Sequence, residues 1–359
     1  MAGLGIVGAV TVILAACGEP VAVLGDTPGL MRVVAGLPDR PGSDVSERAT
    51  ATQLFEPAGV DMDLDGVLYV ADNRNRRIIA VTSSDRARVV MDDFLCTLDC
   101  LIDVTDVAVD LSGDLVVADD RGNRVWRFDA TTGERTLLAG NGEDAFSPDG
   151  EPAASSSVRR PRGVAVGANG EIYFSESRGH RVRTIRTDGT LATVAGVGDA
   201  GFSGDGGPAI DAGIDFPAGL DVAEGTLYVA DAGNDRIRAV DLASGIISTV
   251  AGNGVRGFSG DGGDPLAATF NLPRDVAATP DGRTLYVADE GNHRIRIVTP
   301  SSSTISTFAG TGETEFTGNL VDAGAAALSS PSGVATSPFG LVLISDTGHH
   351  IAWRTPTGF

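Results

Sequence analysis

The sequence predicts an all-β chain in which six four-stranded units close into a β-propeller. Three observations predict it. A pattern of an apolar run, an acidic residue and a later Arg recurs at a nearly constant spacing. Each copy is embedded in four short runs of β-branched and apolar residues, divided by Gly, Asp and Asn turns. No segment carries a convincing 3.6-residue apolar period, so helices are expected to be few.

The copies run in order. Leu68-Tyr69-Val70-Ala71-Asp72 leads to Arg77-Ile78, and Leu115-Val116-Val117-Ala118-Asp119 to Arg124-Val125. Ile172-Tyr173-Phe174-Ser175-Glu176 leads to Arg181-Val182, and Leu227-Tyr228-Val229-Ala230-Asp231 to Arg236-Ile237. Leu285-Tyr286-Val287-Ala288-Asp289 leads to Arg294-Ile295. Leu343-Ile344-Ser345-Asp346 is followed by a degraded copy, His349-His350-Ile351. The acids are 47, 57, 55, 58 and 57 residues apart, a period that marks a repeat architecture.

The fourth copy shows how one unit is built. Gly219 to Ala223 alternates, Glu224-Gly225 turns, and Thr226 to Ala230 is a second apolar strand. Asp231 to Asp235 is a polar loop, Arg236 to Val240 a third strand, Ala243-Ser244-Gly245 a turn, and Ile246 to Ala251 a fourth strand. Four antiparallel strands in about 56 residues describe a propeller blade. The sixth copy runs out after Trp353-Arg354. Met31-Arg32-Val33-Val34-Ala35-Gly36 matches Ile247-Ser248-Thr249-Val250-Ala251-Gly252. The N-terminal strand is therefore expected to complete the last blade and tie down both termini.

Composition bounds the function. The net charge of −21 over 359 residues opposes nucleic acid as a partner, because phosphate binding needs a basic face. It also opposes electrostatic docking on anionic lipid and leaves a divalent cation open as a ligand. Residues 1–16 carry no charged side chain and end in Leu14-Ala15-Ala16-Cys17. They are too short to span a bilayer comfortably and fit a signal-peptide core. Their end resembles the lipobox of bacterial lipoproteins, which implies cleavage before Cys17 and diacylglyceryl transfer to its thiol. The implied organisation is a signal peptide over 1–16, a tether over 17–30 and the propeller over 31–359, in the cell envelope and held to the membrane through the lipid alone. Cys96 and Cys100 are then expected to meet an oxidising compartment. A local disulfide is the preferred reading. Free thiols and half of a metal site are the alternatives, the last weak without a second cysteine pair.

The copies resemble NHL repeats, which form six-bladed propellers, and in particular the bacterial and teneurin-like subset that joins blades with a long Gly-rich loop. Ala195-Gly196 through Phe202-Ser203-Gly204-Asp205-Gly206-Gly207 to Pro217 carries the resemblance. Ala251-Gly252 through Phe258-Ser259-Gly260-Asp261-Gly262-Gly263 to Pro273 repeats it, with weaker versions from Phe146 to Pro161 and from Phe316 to Pro331. The resemblance covers about residues 31–359 and speaks to fold, since propellers host many unrelated activities.

Candidate chemistry is sparse. Asp61-Met62-Asp63-Leu64-Asp65-Gly66 matches the opening of a calcium loop, but it falls on a first hairpin turn without flanking helices. The recurrent acid–Arg pair, such as Asp231 with Arg236, is expected to be structural because every blade needs it. His180, His293 and His350 each follow their acid by four residues, where they either fill a loop or converge on a metal. The loop acids Asp149, Asp205 and Asp261, with His180, Asp235 and His293, are expected to share the face onto which the joining loops open. That face is the default place for a ligand, and covering of the blade seams is the other role open to those loops. No nucleophile-base motif, phosphate loop or zinc-binding helix is present. The expectation is an exported, lipid-anchored, non-catalytic binding scaffold for a protein or an extended polymer, with no cofactor. A metal-dependent lactonase or lyase acting at the central channel is the alternative.

Overall fold

The computed structural model describes residues 29–93 and 100–356. Within them the chain forms six antiparallel sheets and no α-helix. Blade 1 comprises β2 (Pro57–Met62), β3 (Leu68–Asp72), β4 (Arg77–Val81) and β5 (Ala87–Asp92). Blade 2 comprises β6 (Val104–Val109), β7 (Leu115–Asp119), β8 (Arg124–Phe128) and β9 (Arg135–Ala139). Blade 3 comprises β10 (Pro161–Val166), β11 (Ile172–Glu176), β12 (Arg181–Ile185) and β13 (Leu191–Ala195). Blade 4 comprises β14 (Pro217–Ala223), β15 (Thr226–Asp231), β16 (Arg236–Asp241) and β17 (Ile246–Ala251). Blade 5 comprises β18 (Pro273–Ala278), β19 (Leu285–Asp289), β20 (Arg294–Thr299) and β21 (Thr304–Ala309).

Blade 6 closes the ring as its sequence pattern requires. Its strands are β23 (Pro331–Thr336), β24 (Leu341–Asp346), β25 (Ile351–Pro356) and the N-terminal β1 (Leu30–Gly36). β1 pairs with β25 from Arg32↔Arg354 to Gly36↔Ile351. A fifth strand, β22 (Leu320–Asp322), pairs with the other side of β1 from Leu30↔Asp322 to Arg32↔Leu320. The closing strand is thus hydrogen-bonded along both edges.

That extra strand exaggerates what the other long joining loops do. Gly150, Gly206 and Gly262 donate their N–H groups to Leu191, Ile247 and Ile305, at 2.8 Å in each case. Each loop runs down the outer edge of the blade it leads into and covers an otherwise open strand edge. This is why the junctions are longer than a connection needs.

The first strand of each blade lies innermost, each touching its neighbours around the ring. The apolar core is six clusters, one at each blade interface. Alternating strands supply one apolar face to each neighbour, so no blade buries its faces alone. Loops between second and third strands, and the joining loops, emerge at one end of the channel, called here the mouth. First and third hairpins lie at the opposite end, where β1 begins.

Candidate functional site

The six second-strand acids, Asp72, Asp119, Glu176, Asp231, Asp289 and Asp346, are fully buried. One oxygen of each receives the backbone N–H of the chain entering its own blade, for example Asp231 from Asp215 at 2.8 Å and Asp289 from Asn271 at 2.8 Å. Burial pushes Asp231 and Asp289 up to about 6. Their cationic partner corrects the sequence expectation. In blades 3, 4 and 5 it is the Arg seven residues on: Arg183 (3.6 Å), Arg238 (3.3 Å) and Arg296 (3.4 Å). Strand periodicity places both Arg positions on one face, and the farther one is fully buried. The nearer Arg236 instead donates to the carbonyls of Asn234 and Asn253, at 3.0 and 2.7 Å. Blade 1 pairs as expected, Arg77 with Asp72 at 2.6 Å.

Those buried guanidiniums account for the loop acids. Asp205 Oδ1 accepts from Arg238 Nη2 at 2.7 Å and its Oδ2 from the Thr249 hydroxyl at 2.7 Å. Asp261 does the same with Arg296 and Thr307, both at 2.7 Å. Asp149 Oδ1 accepts from Arg183 (3.1 Å) and the Thr193 hydroxyl (2.9 Å), and its Oδ2 from the Thr193 N–H (2.9 Å). Phe202 and Phe258 stack on Arg236 and Arg294, at 3.7 and 3.8 Å from ring centroid to guanidinium carbon. The acids therefore sit on the outer edges of blades 3, 4 and 5, not at the mouth, and both their oxygens are engaged.

His180, Asp235 and His293 do lie at the mouth end, but they point into the seams. Each has φ between 48° and 56° and caps a single 3₁₀ turn or its equivalent. His180 Nδ1 accepts the N–H of Phe216 in blade 4 at 3.2 Å. His293 Nδ1 accepts from Ser330 in blade 6 at 3.0 Å, and Asp235 Oδ1 from Leu272 in blade 5 at 2.8 Å. Asn123 and His350 make the same bond to Arg160 and Glu56. A side-chain acceptor reaching the next blade is what this position supplies. The six expected residues thus fall into two structural groups rather than one site. The Asp61 segment is a hairpin turn, in which Asp63 Oδ1 accepts from Asp65 and Val67. Cys100 is disulfide-bonded; Cys17 and Cys96 lie outside the described residues.

Missing from the sequence expectation is a ring of acids on the axis, apart from Asp61, which enters it as part of a turn. Asp61, Asp106, Asp221 and Asp275 line a cavity of about 110 Å³ between the innermost strands. Each receives its neighbour's N–H on one oxygen and that of the next blade on the other: Val109 for Asp61, Val164 for Asp106, Ala278 for Asp221 and Val334 for Asp275. Burial raises Asp61 and Asp106 to about 7 and Asp221 to about 6, and raises Asp275 well above its usual range. The lining repeats every three blades. Gly59-Val60-Asp61 matches Gly219-Leu220-Asp221, Asp106-Val107-Ala108 matches Asp275-Val276-Ala277, and Gly163-Val164-Ala165 matches Gly333-Val334-Ala335. The blades without an Asp carry Ser175 and Ser345, whose hydroxyls donate to the carbonyls of Ala218 and Ala58 in the next blade. That internal pattern is a signal present in the sequence.

The mouth breaks this symmetry. A small cavity of about 20 Å³ is lined by Thr105, Asp106, Arg162, Arg274, Asp275 and Ser332, among others. The guanidinium carbons of Arg162 and Arg274 lie 5.7 and 5.8 Å from the Phe216 ring centroid. Arg162 reaches Asp120 at 3.5 Å, and Arg274 pairs with Glu290. Around the rim, Arg74 pairs with Glu56 and Arg121 with Asp103. A larger cavity of about 210 Å³ lies at the opposite end, in the seam between blades 6 and 1.

Fold and ring closure define a six-bladed β-propeller. The Teneurin NHL domain family model matches residues 48–201 and the NHL repeat model matches residues 270–298; the chain is an NHL-repeat propeller. NHL repeat-containing protein 2 of Bos taurus is 28% identical over 182 residues, which cover 48% of this chain and 25% of that protein. The match thus spans about a quarter of that relative's length. Among solved structures, an auxiliary nutrient binding protein from Bacteroides ovatus superposes with a TM-score of 0.67 at 17% identity, over 91% of this chain and 76% of that one. A gluconolactonase from Xanthomonas campestris does so at 0.58 and 15%, over 93% and 99%. At such identities the likeness is one of fold.

Proposed function

We propose that this chain is an exported, lipid-anchored propeller that binds a partner at the channel mouth and performs no chemistry on it. One observation carries the reading. The side chains that hold the blades together recur from blade to blade, whereas Arg162, Phe216 and Arg274 at the channel mouth do not. Non-recurring charged and aromatic groups on a rigid ring suit recognition. The nutrient-binding protein of similar fold supports a binding role. The acidic chain disfavours nucleic acid, leaving a protein, an extended polymer or a small ligand. Lipidation at Cys17 and residence in the cell envelope belong to the same proposal. β1 begins at the end opposite the mouth, so a tether leaving there would turn the mouth away from the membrane.

Two experiments test it. Cys17→Ser should move the protein from the membrane to the soluble fraction, and unchanged membrane association overturns the anchor. Arg121→Glu, on the exposed rim, should abolish capture of a partner from a cell-envelope extract; undiminished capture overturns the mouth as binding face.

The fold likeness to a gluconolactonase and the four raised channel carboxylates favour a second reading, a metal-dependent enzyme. The residues fit it poorly. No three acidic, His or Cys groups among the described residues converge as metal ligands. Metal-dependent hydrolysis of a lactone by the purified chain would establish it over the first.

A further inference from the structure

Below the mouth the channel lining has an approximate twofold repeat, and that repeat accounts for ring closure. At the mouth, Arg162 of blade 3 stands opposite Ser332 of blade 6, and Arg274 of blade 5 opposite Thr105 of blade 2. Phe216, entering blade 4, stands opposite Glu56, entering blade 1. Closure does not require this asymmetry, since blades 6, 1 and 2 close without it.

We propose that the mouth binds a small zwitterion, its carboxylate on Arg162 and Arg274 and its ammonium towards Asp106 and Asp275. The proposal rests on the mouth being a binding site and names its ligand class. Neither guanidinium is saturated, since each has five donors and makes one side-chain ion pair. Phe216 holds the two like charges on one ring. Burial, then the neighbouring Arg274 charge, lowers Arg162 to about 10, so an anion between them relieves both effects. One layer down, Asp106 and Asp275 line the mouth cavity and the chamber below. Each of their oxygens accepts one backbone N–H and keeps a second lone pair. Guanidiniums above and carboxyls below, over one step of strand rise, match a carboxylate and an ammonium on a short carbon chain, the ammonium drawing the raised Asp106 and Asp275 carboxyls back towards their charged form. The small cavities exclude a bulky ligand.

Calorimetric titration of the full chain with β-alanine, acetate and methylammonium tests this. β-Alanine should bind at least about tenfold tighter than either fragment. Arg162→Gln, Arg274→Gln and Asp275→Asn should each weaken it about tenfold, the last erasing its advantage over acetate. Should a Gln variant fail to fold, Arg162→Lys or Arg274→Lys keeps the charge and loses the planar fork; undiminished β-alanine affinity in the Lys variant overturns the proposal. Binding no tighter than acetate, or insensitive to both Arg positions, also overturns it. If Arg121→Glu abolishes partner capture while β-alanine does not bind, the zwitterion site fails and the binding reading stands.

Discussion

A fully buried guanidinium depends on its counter-ions, and three of them fix the outer edges of blades 3, 4 and 5. Asp205→Ala leaves Arg238 with Asp231 and backbone carbonyls alone. Asp205 is 40% exposed, so solvent already screens part of the pair. The expected loss is about 2 kcal/mol, between an exposed and a buried pair. Asp261→Ala should add its own loss independently, on a separate seam. Urea unfolding measures both, and an unchanged midpoint would free these carboxylates for a ligand. His350, which makes one of the seam bonds, carries a pH dependence. His350 Nδ1 accepts the Glu56 N–H at 3.2 Å, which the doubly protonated ring cannot do. Burial lowers its folded pKa below the ordinary 6.5. The unfolded chain then binds the extra proton first, so this bond's stability is present above about 6.5 and is lost as pH falls through the folded value. His350→Asn, the residue blade 2 uses, should flatten that part of the melting-temperature profile between about pH 7 and 5. A profile identical to wild type would show the bond contributes nothing.

At the scale of elements, strand order and ring closure were legible because each acid is followed by the same turn chemistry at a fixed period. The partner of that acid was not. Positions five and seven residues on lie on one strand face, and burial, which the spacing does not encode, selects between them. A sequence signal exists all the same. Arg-x-Arg occurs in the third strands of blades 3, 4 and 5, at Arg181, Arg236 and Arg294, the three blades whose leading loop carries Asp149, Asp205 or Asp261. The loop acids were misplaced because loop length reads as reach towards a face, whereas backbone hydrogen bonding draws the loop along an open strand edge. The channel was illegible one blade at a time and appears only when blades three apart are compared. That comparison also explains its glycines. A Cβ on Gly219 would stand 2.6 Å from Asp275 Cγ and 2.8 Å from its Cα, in a seam the backbone cannot open. Gly219→Ala should cost about 3 kcal/mol by overpacking, whereas Gly201→Ala, with nothing within 4 Å of its Cβ, should stay within about 0.5 kcal/mol. Chemical denaturation of the two variants decides it; equal midpoints would mean that the channel strands are not in this close contact.

For the whole molecule, stability rests on closing a ring in which every apolar cluster is shared by two blades. β1 is the part most remote in sequence from its partners. It supplies fully buried Met31 to the cluster between blades 5 and 6, and Val34 and Ala35 to the one between blades 6 and 1. Its loss would therefore open two interfaces, expose both β25 and β22 as edges, and leave Trp353 without cover on one side. Joining strands this far apart contributes little to folding speed, because loop closure comes late, but much to resistance against unfolding. A chain beginning at Leu37 is expected to melt well below the full chain and to expose apolar surface. A peptide of residues 29–36 added in trans should restore the higher melting temperature in a concentration-dependent way, as for any ligand that binds only the folded state. A chain beginning at Leu37 that melts with the full chain would show that β22 pairs directly with β25 and seals the ring without the N-terminal strand.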